Sequence, residues 1–226
     1  MKALFLFIFV NISCCGLSIC SAQKNNGLKV QHHSEYLAVI KKDPKKTLVE
    51  LKEVIPSIKL DIRYATKNNF MHQVMYTQAR AFARKEVALQ LQKIQAALYK
   101  NGYGLKVFDG YRPYAITVAF YEKASDKNFV ANPSTGSVHN RGCAVDLTLT
   151  DLKTGRDLVM PTPYDSFSAA AAANYQKATP LAIKNRTFLI NIMNQYGFKV
   201  RENEWWHFDY KGWRNYELLD IPFEQL

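Results

Sequence analysis

The stretch Ser137-Val138-His139-Asn140-Arg141-Gly142-Cys143-Ala144-Val145-Asp146-Leu147-Thr148-Leu149-Thr150 decides how this chain is read. Its second half alternates. Cys143, Val145, Leu147 and Leu149 fall on one face of a strand, and Ala144, Asp146 and Thr148 on the other. The apolar face can bury against a core while Asp146 looks into a site. His139 and Asp146 are seven residues apart, so a continuous strand would point them to opposite sides. Gly142 between them can adopt a turn or bulge that other residues avoid, and this lets both side chains converge. Taken alone, the pair also reads as a loop histidine and a surface or capping aspartate.

Leu105 to Phe108 is a short strand running into the turn Asp109-Gly110-Tyr111-Arg112-Pro113. Pro113 suits the first turn of a helix reaching about Lys123. Upstream, Val87, Leu89, Leu91, Ile94, Ala97 and Leu98 recur at helical spacing between Lys85 and Lys100, and Gly102 offers a C-cap. Ser57 to Tyr64 alternates like a strand. Downstream, Leu181 to Tyr196 is a second helix stopped by Gly197. Phe198-Lys199-Val200 and the Trp-rich segment after it form a closing strand pair. Strands and helices mix without β-α-β regularity, so the expectation is one α+β domain with a small, mostly antiparallel sheet and flanking helices.

The 226 residues suit one sizeable core. Lys2, the apolar run Ala3 to Val10 and the small or polar residues through Ala22 read as a secretory signal over 1–22. That places the mature chain in the periplasm or cell envelope. The alternatives are an uncleaved anchor, for which the run falls short of the roughly 20 residues of a span, and a lipid on Cys14, Cys15 or Cys20. Residues 23–47 are polar and read as a flexible leader, leaving 48–226 as the domain. Cleavage removes three of the four cysteines and leaves Cys143, so no internal disulfide forms. The net charge is +11, with Lys41, Lys42, Lys45 and Lys46 clustered. This is either a contact for anionic wall polymers or a solvated basic face. Nucleic acid is excluded as a partner by export and by the absence of a recognition motif. Oligomeric state is not legible.

Some sixty residues after the first stretch stands Glu204-Trp205-Trp206-His207. His139, Asp146 and His207 are a three-ligand set for one zinc ion, and three protein ligands leave a tetrahedral ion one place for water. Glu204 reads either as the general base of such a site, taking a proton from water and delivering it to the leaving amine, or as a surface glutamate. It stands three residues before His207, so the two share a face only if this segment bends. Asp209 is a competing ligand. Arg112 either stabilises an oxyanion, grips a substrate carboxylate, or bridges to Asp109. Trp205 and Trp206 are core or pocket wall. Cys143 lies on the apolar face, where a thiol is inert. His32, His33 and His72 show no ligand spacing and read as surface residues.

Together these segments resemble the D-alanyl-D-alanine dipeptidases, the VanX-like zinc D,D-peptidases. The pattern Ser-x-His-x-x-Gly-x-Ala-x-Asp stands as Ser137, His139, Gly142, Ala144 and Asp146, and Glu-x-x-His stands as Glu204 and His207. The Asp-Gly-Tyr-Arg-Pro turn is intact, and Leu60 to Thr66 with Asn68-Asn69-Phe70 also matches. The resemblance implies the small α+β fold of D,D-peptidases and hedgehog-type domains. It implies zinc on His139, Asp146 and His207, Glu204 as base, and Arg112 at the transition state. It further implies that Ser137 and Asp165 hold the free amine of a D,D-dipeptide. Family members tend to have Gly where Pro161 stands, and a Ser-His pair shortly after the position of Phe167-Ser168, which here runs into alanines. The alternatives are a zinc D,D- or L,D-carboxypeptidase trimming stem peptides, and a non-catalytic wall-binding module.

Overall fold

The computed structural model describes residues 28–226; the expected signal over 1–22 and residues 23–27 of the expected leader lie outside the described residues. Along the chain come β1 (Val30–Gln31), α1 (His33–Lys42), β2 (Leu48–Glu50), α2 (Leu51–Val54), β3 (Lys59–Leu60), β4 (Phe82–Arg84) and α3 (Lys85–Tyr99). They are followed by β5 (Tyr103–Asp109), α4 (Tyr114–Lys123), β6 (Ala144–Asp151), α5 (Pro180–Gln195), β7 (Phe198–Arg201), β8 (Glu204–Tyr210) and β9 (Leu218–Leu219). The main sheet has the order β3-β5-β6-β8-β7. Its β3–β5 pair is parallel and the other three pairs are antiparallel. Two small pairs complete the α+β architecture, β1 with β9 and β2 with β4.

The helices follow their apolar spacing. In α3, Val87, Leu91, Ile94 and Leu98 form one fully buried stripe, while Leu89 faces outward. The α5 helix starts at Pro180, where the Thr179 hydroxyl caps the Ala182 N–H, and ends before Gly197 at φ +86°. The α3 helix packs on β5 and α5 on β7.

β6 is the central strand, and Ala144 through Thr150 are all buried. Of its buried polar positions, Asp146 lines a cavity. Both β5 and β8 border it, and this brings the Asp109 turn, Asp146 and His207 side by side: Asp146 is opposite Asp109 on one edge and His207 on the other.

Two expectations need correction. The strand over Ser57 to Tyr64 is confined to Lys59–Leu60. The Asp61 N–H still bonds Val107 O at 2.9 Å, but the chain then tightens into a 3-10 turn at Arg63–Ala65 that buries Tyr64. Within the flexible leader expected over 23–47, the described residues are not loose. Glu35 reaches back to the His32 N–H at 3.0 Å and starts α1. Tyr36 is buried, and its hydroxyl accepts the Leu48 N–H at 2.8 Å. β1 is sealed by pairing with β9 near the other end of the chain.

Candidate metal centre

His139 opens a 3-10 turn, His139–Arg141, that closes on Gly142 at φ +68°. The Gly142 N–H bonds His139 O at 2.9 Å, and Gly142 O accepts the Arg84 N–H at 2.8 Å. This left-handed residue reverses the chain between the histidine and β6. A Cβ here would come within 2.5 Å of Leu48 Cδ2. Gly142→Ala should therefore cost about 1–3 kcal/mol of stability, read as a lower midpoint in urea unfolding.

The three predicted ligands converge. Ring nitrogens of His139 and His207 and a carboxylate oxygen of Asp146 lie within 4.8 Å of one another, all buried. His139 Nε2 is 3.1 Å from His207 Nδ1; Asp146 Oδ1 is 3.0 Å from His207 Nδ1 and 3.4 Å from His139 Nε2.

The outer partners decide where the ring protons are. His139 Nδ1 is 2.7 Å from Gly110 O, which can only accept, so that nitrogen carries the proton. His207 Nε2 is 2.8 Å from Asp209 Oδ1 and donates to it. With both rings neutral, the inward nitrogens are lone pairs facing a carboxylate oxygen that takes no hydrogen bond. Three electron-pair donors meeting in a buried place without a proton among them call for a cation. Two imidazoles and a carboxylate, each ring oriented by an acceptor behind it, suit zinc. A proton can stand in for that cation: burial opposes a charge on His207, yet the carboxylates of Asp146 and Asp209 outweigh it and push its pKa up to about 10. Asp209 thus shares a face with His207, as its spacing implies, but orients the ring and is not a ligand.

Gly110 earns its place by close approach. A Cβ there would sit 2.6 Å from Phe82 O, and its own carbonyl holds His139.

Glu204 reaches the same point because β7 and β8 slip register. Val200 is opposite Phe208, yet Arg201 is opposite Glu204. The resulting irregularity puts Glu204 Oε2 3.6 Å from His207 Nδ1, which a flat strand would forbid. Glu204 is buried, and burial raises its pKa despite the opposing pull of His207 and Arg201.

Arg112 approaches from the β5–α4 turn. Its Nε and Nη2 both donate to Asp109 Oδ2, at 3.0 and 2.7 Å, and Nη2 stands 4.0 Å from Asp146 Oδ2. The guanidinium lies against the rings of Phe120 and Tyr64, 4.7 and 5.4 Å from their centroids. The bridge to Asp109 and a place on the cavity wall therefore coexist. Asn140 ties this turn to the metal loop: its amide donates to Arg112 O and Thr117 Oγ1, and its oxygen accepts the Ser137 N–H.

Ser137 and Asp165 also line the cavity. Ser137 Oγ accepts the His139 N–H at 3.2 Å. Asp165 adopts φ +58°, and its Oδ2 accepts the Tyr64 hydroxyl at 2.9 Å. Burial, with the nearby Asp146 charge, holds its carboxyl well above the usual range. Trp206 lines the cavity; Trp205 is buried beside it, with its indole N–H on Thr162 Oγ1. Phe70, Phe129 and Phe167 line the cavity, with the last two stacked at 4.9 Å. The cavity is narrow, with a volume of about 30 Å³. A groove of about 690 Å³ lies elsewhere, between the start of α1 and Phe223–Gln225, but none of the seven predicted site residues lines it.

The remaining candidates stay apart from this centre. The Cys143 thiol is buried and pushed up to about 12, as an inert core residue should be. His32 and His72 are exposed and His33 is half-buried. Among the described residues no helix is long and apolar enough to cross a membrane. Sequence reasoning missed Tyr64, Asn140 and Tyr164; each acts through side-chain hydrogen bonds that leave no periodic trace.

A family model described as D-ala-D-ala dipeptidase, peptidase M15, matches residues 44–217, a span that contains every residue of the centre. The chain belongs to the peptidase M15 D-Ala-D-Ala dipeptidase family. It is 32% identical over 176 residues to a D-alanyl-D-alanine dipeptidase of Escherichia coli (strain K12), covering 78% of this chain and 91% of that one. It is 30% identical over 196 residues to another from Enterococcus faecalis (strain ATCC 700802 / V583), covering 76% and 92%. Among solved structures it is similar to the LdcB LD-carboxypeptidase, with 23% identity, a TM-score of 0.39, and coverage of 59% of this chain and 63% of that chain. This M15 family member is accordingly a metallopeptidase, and its buried His139, Asp146 and His207 form a group that could hold a metal ion.

Proposed function

We propose that the protein hydrolyses the dipeptide D-Ala-D-Ala, with one zinc ion on His139, Asp146 and His207. The observation that carries this reading is the convergence of His139, Asp146 and His207 beside a buried glutamate, with the Asp165 carboxyl lining the same cavity. Zinc bound there supplies a polarised water and a Lewis acid for the scissile carbonyl. Glu204 takes the proton from the water and passes it to the leaving amine. The Arg112 guanidinium, fixed by Asp109 and two rings, faces the negative charge that develops on the carbonyl oxygen.

Asp165 and Ser137 receive the free ammonium of the substrate. Asp165 is held toward its neutral form by burial and by Asp146, so an incoming ammonium supplies the charge that ionises it. A longer peptide brings an amide to that place and leaves the carboxyl without its partner, which favours dipeptides. The signal-like residues 1–22 support action in the cell envelope, and the lysine cluster supports contact with anionic wall polymers.

The test is a hydrolysis assay on D,D, L,L and mixed alanine dipeptides and on a pentapeptide ending in D-Ala-D-Ala, with and without a chelator. The expected result is chelator-sensitive cleavage of the free D,D-dipeptide, faster than any release from the pentapeptide. Faster cleavage of the pentapeptide would defeat the dipeptide reading in favour of stem trimming.

A further inference from the structure

We propose that Tyr164 is a positioning residue for the metal centre, acting through its hydroxyl on the outer oxygen of Asp146. The phenol donates to Asp146 Oδ2 at 3.0 Å. The other oxygen, Oδ1, is the one that faces both histidines. A carboxylate with both oxygens free can swing or chelate a metal through both; one with an oxygen pinned presents a single donor in one direction. Tyr164 therefore sets which atom of Asp146 the metal meets, as Gly110 O and Asp209 do for the two rings.

The phenol can hold this place because its ring cannot move freely. It stacks on Phe108 at 4.4 Å and 18°, and meets the edge of Trp206 at 5.5 Å. The left-handed backbone of Asp165 then parts the two neighbouring side chains. Tyr164 turns to the metal ligand, and Asp165 turns to the cavity and the Tyr64 hydroxyl. A phenylalanine would make the same ring contacts, so packing does not explain the hydroxyl; its bond to Asp146 does.

This inference rests on zinc occupying the three-residue site, which the unmutated protein tests first. Zinc affinity is read by competition with a chromophoric chelator, using the full chain as wild type, Tyr164→Phe and Tyr64→Phe. Tyr64→Phe removes an equally buried phenol from Asp165 and serves as the comparison. Tyr164→Phe is expected to weaken zinc about tenfold to a hundredfold, while Tyr64→Phe stays within twofold of wild type and both metal-free variants melt with it. Equal affinities in all three, or equal losses in both variants, would overturn the proposal and leave the metal site standing. Failure of the wild type to bind zinc would overturn both. If Tyr164→Phe does not fold, the unmutated zinc-loaded protein decides by NMR. A slowly exchanging hydroxyl proton correlated to the Tyr164 ring supports the bond, and its absence overturns it.

Discussion

Glu204→Ala should keep zinc and lose about a hundredfold to ten-thousandfold in kcat, the scale of a missing general base. Zinc retention follows from geometry. Glu204 stands 3.6 Å from the ligating nitrogen of His207 but is not one of the three converging donors, and the outer bonds that orient the rings do not involve it. The rate loss follows from its position, since it is the one carboxylate on the cavity wall beside His207 that neither ligates nor accepts from a tyrosine. Glu204→Gln is the stricter version, because it keeps the shape and removes the proton acceptor. It should also leave stability nearly unchanged, as it exchanges a buried charged group for a neutral one. Zinc content by metal analysis, with kcat on D-Ala-D-Ala, reads both parts. Near-normal turnover in either variant removes Glu204 from the role, and loss of zinc in the Gln variant makes it a ligand.

The same residue shows how far the sequence could be read. Glu204 and His207, three apart on a segment with strand character, demanded a bend for any shared chemistry; the register slip between Val200 and Arg201 supplies it. Gly142 likewise marked where the chain can reverse to bring His139 to Asp146, which an odd spacing on one continuous strand would keep apart. The long helices were legible because their spacing is local and repeats. The N-terminal arm was not. Its helix buries only Tyr36, and the arm is held by pairing of β1 with β9 and by the Tyr36 bond to Leu48, partners that no local window contains. The hydroxyls of Tyr164 and Tyr64 were hidden for a related reason, since either residue reads equally well as an ordinary core aromatic until its partner across the fold is known.

Arg112→Ala is expected to lower kcat/KM about a hundredfold or more, close to 3 kcal/mol of transition-state stabilisation for a lost oxyanion donor. Two effects compete in this variant. The guanidinium is buried, bonded twice to Asp109 and packed against Phe120 and Tyr64, so its removal also breaks a buried ion pair worth about 3–5 kcal/mol when one partner is lost. Asp109 would keep the Tyr76 hydroxyl and the Gly110 N–H, which softens the loss and keeps the turn that holds His139. Rates must therefore be normalised to folded, zinc-loaded protein. Arg112→Lys separates the effects further. A lysine keeps the charge near Asp109 but cannot both grip that carboxylate through two nitrogens and aim a third donor into the cavity. It should recover most of the stability and little of the rate. Should Lys restore both together, the residue is a bridge to Asp109 and nothing more; stability without rate puts its guanidinium at the developing charge.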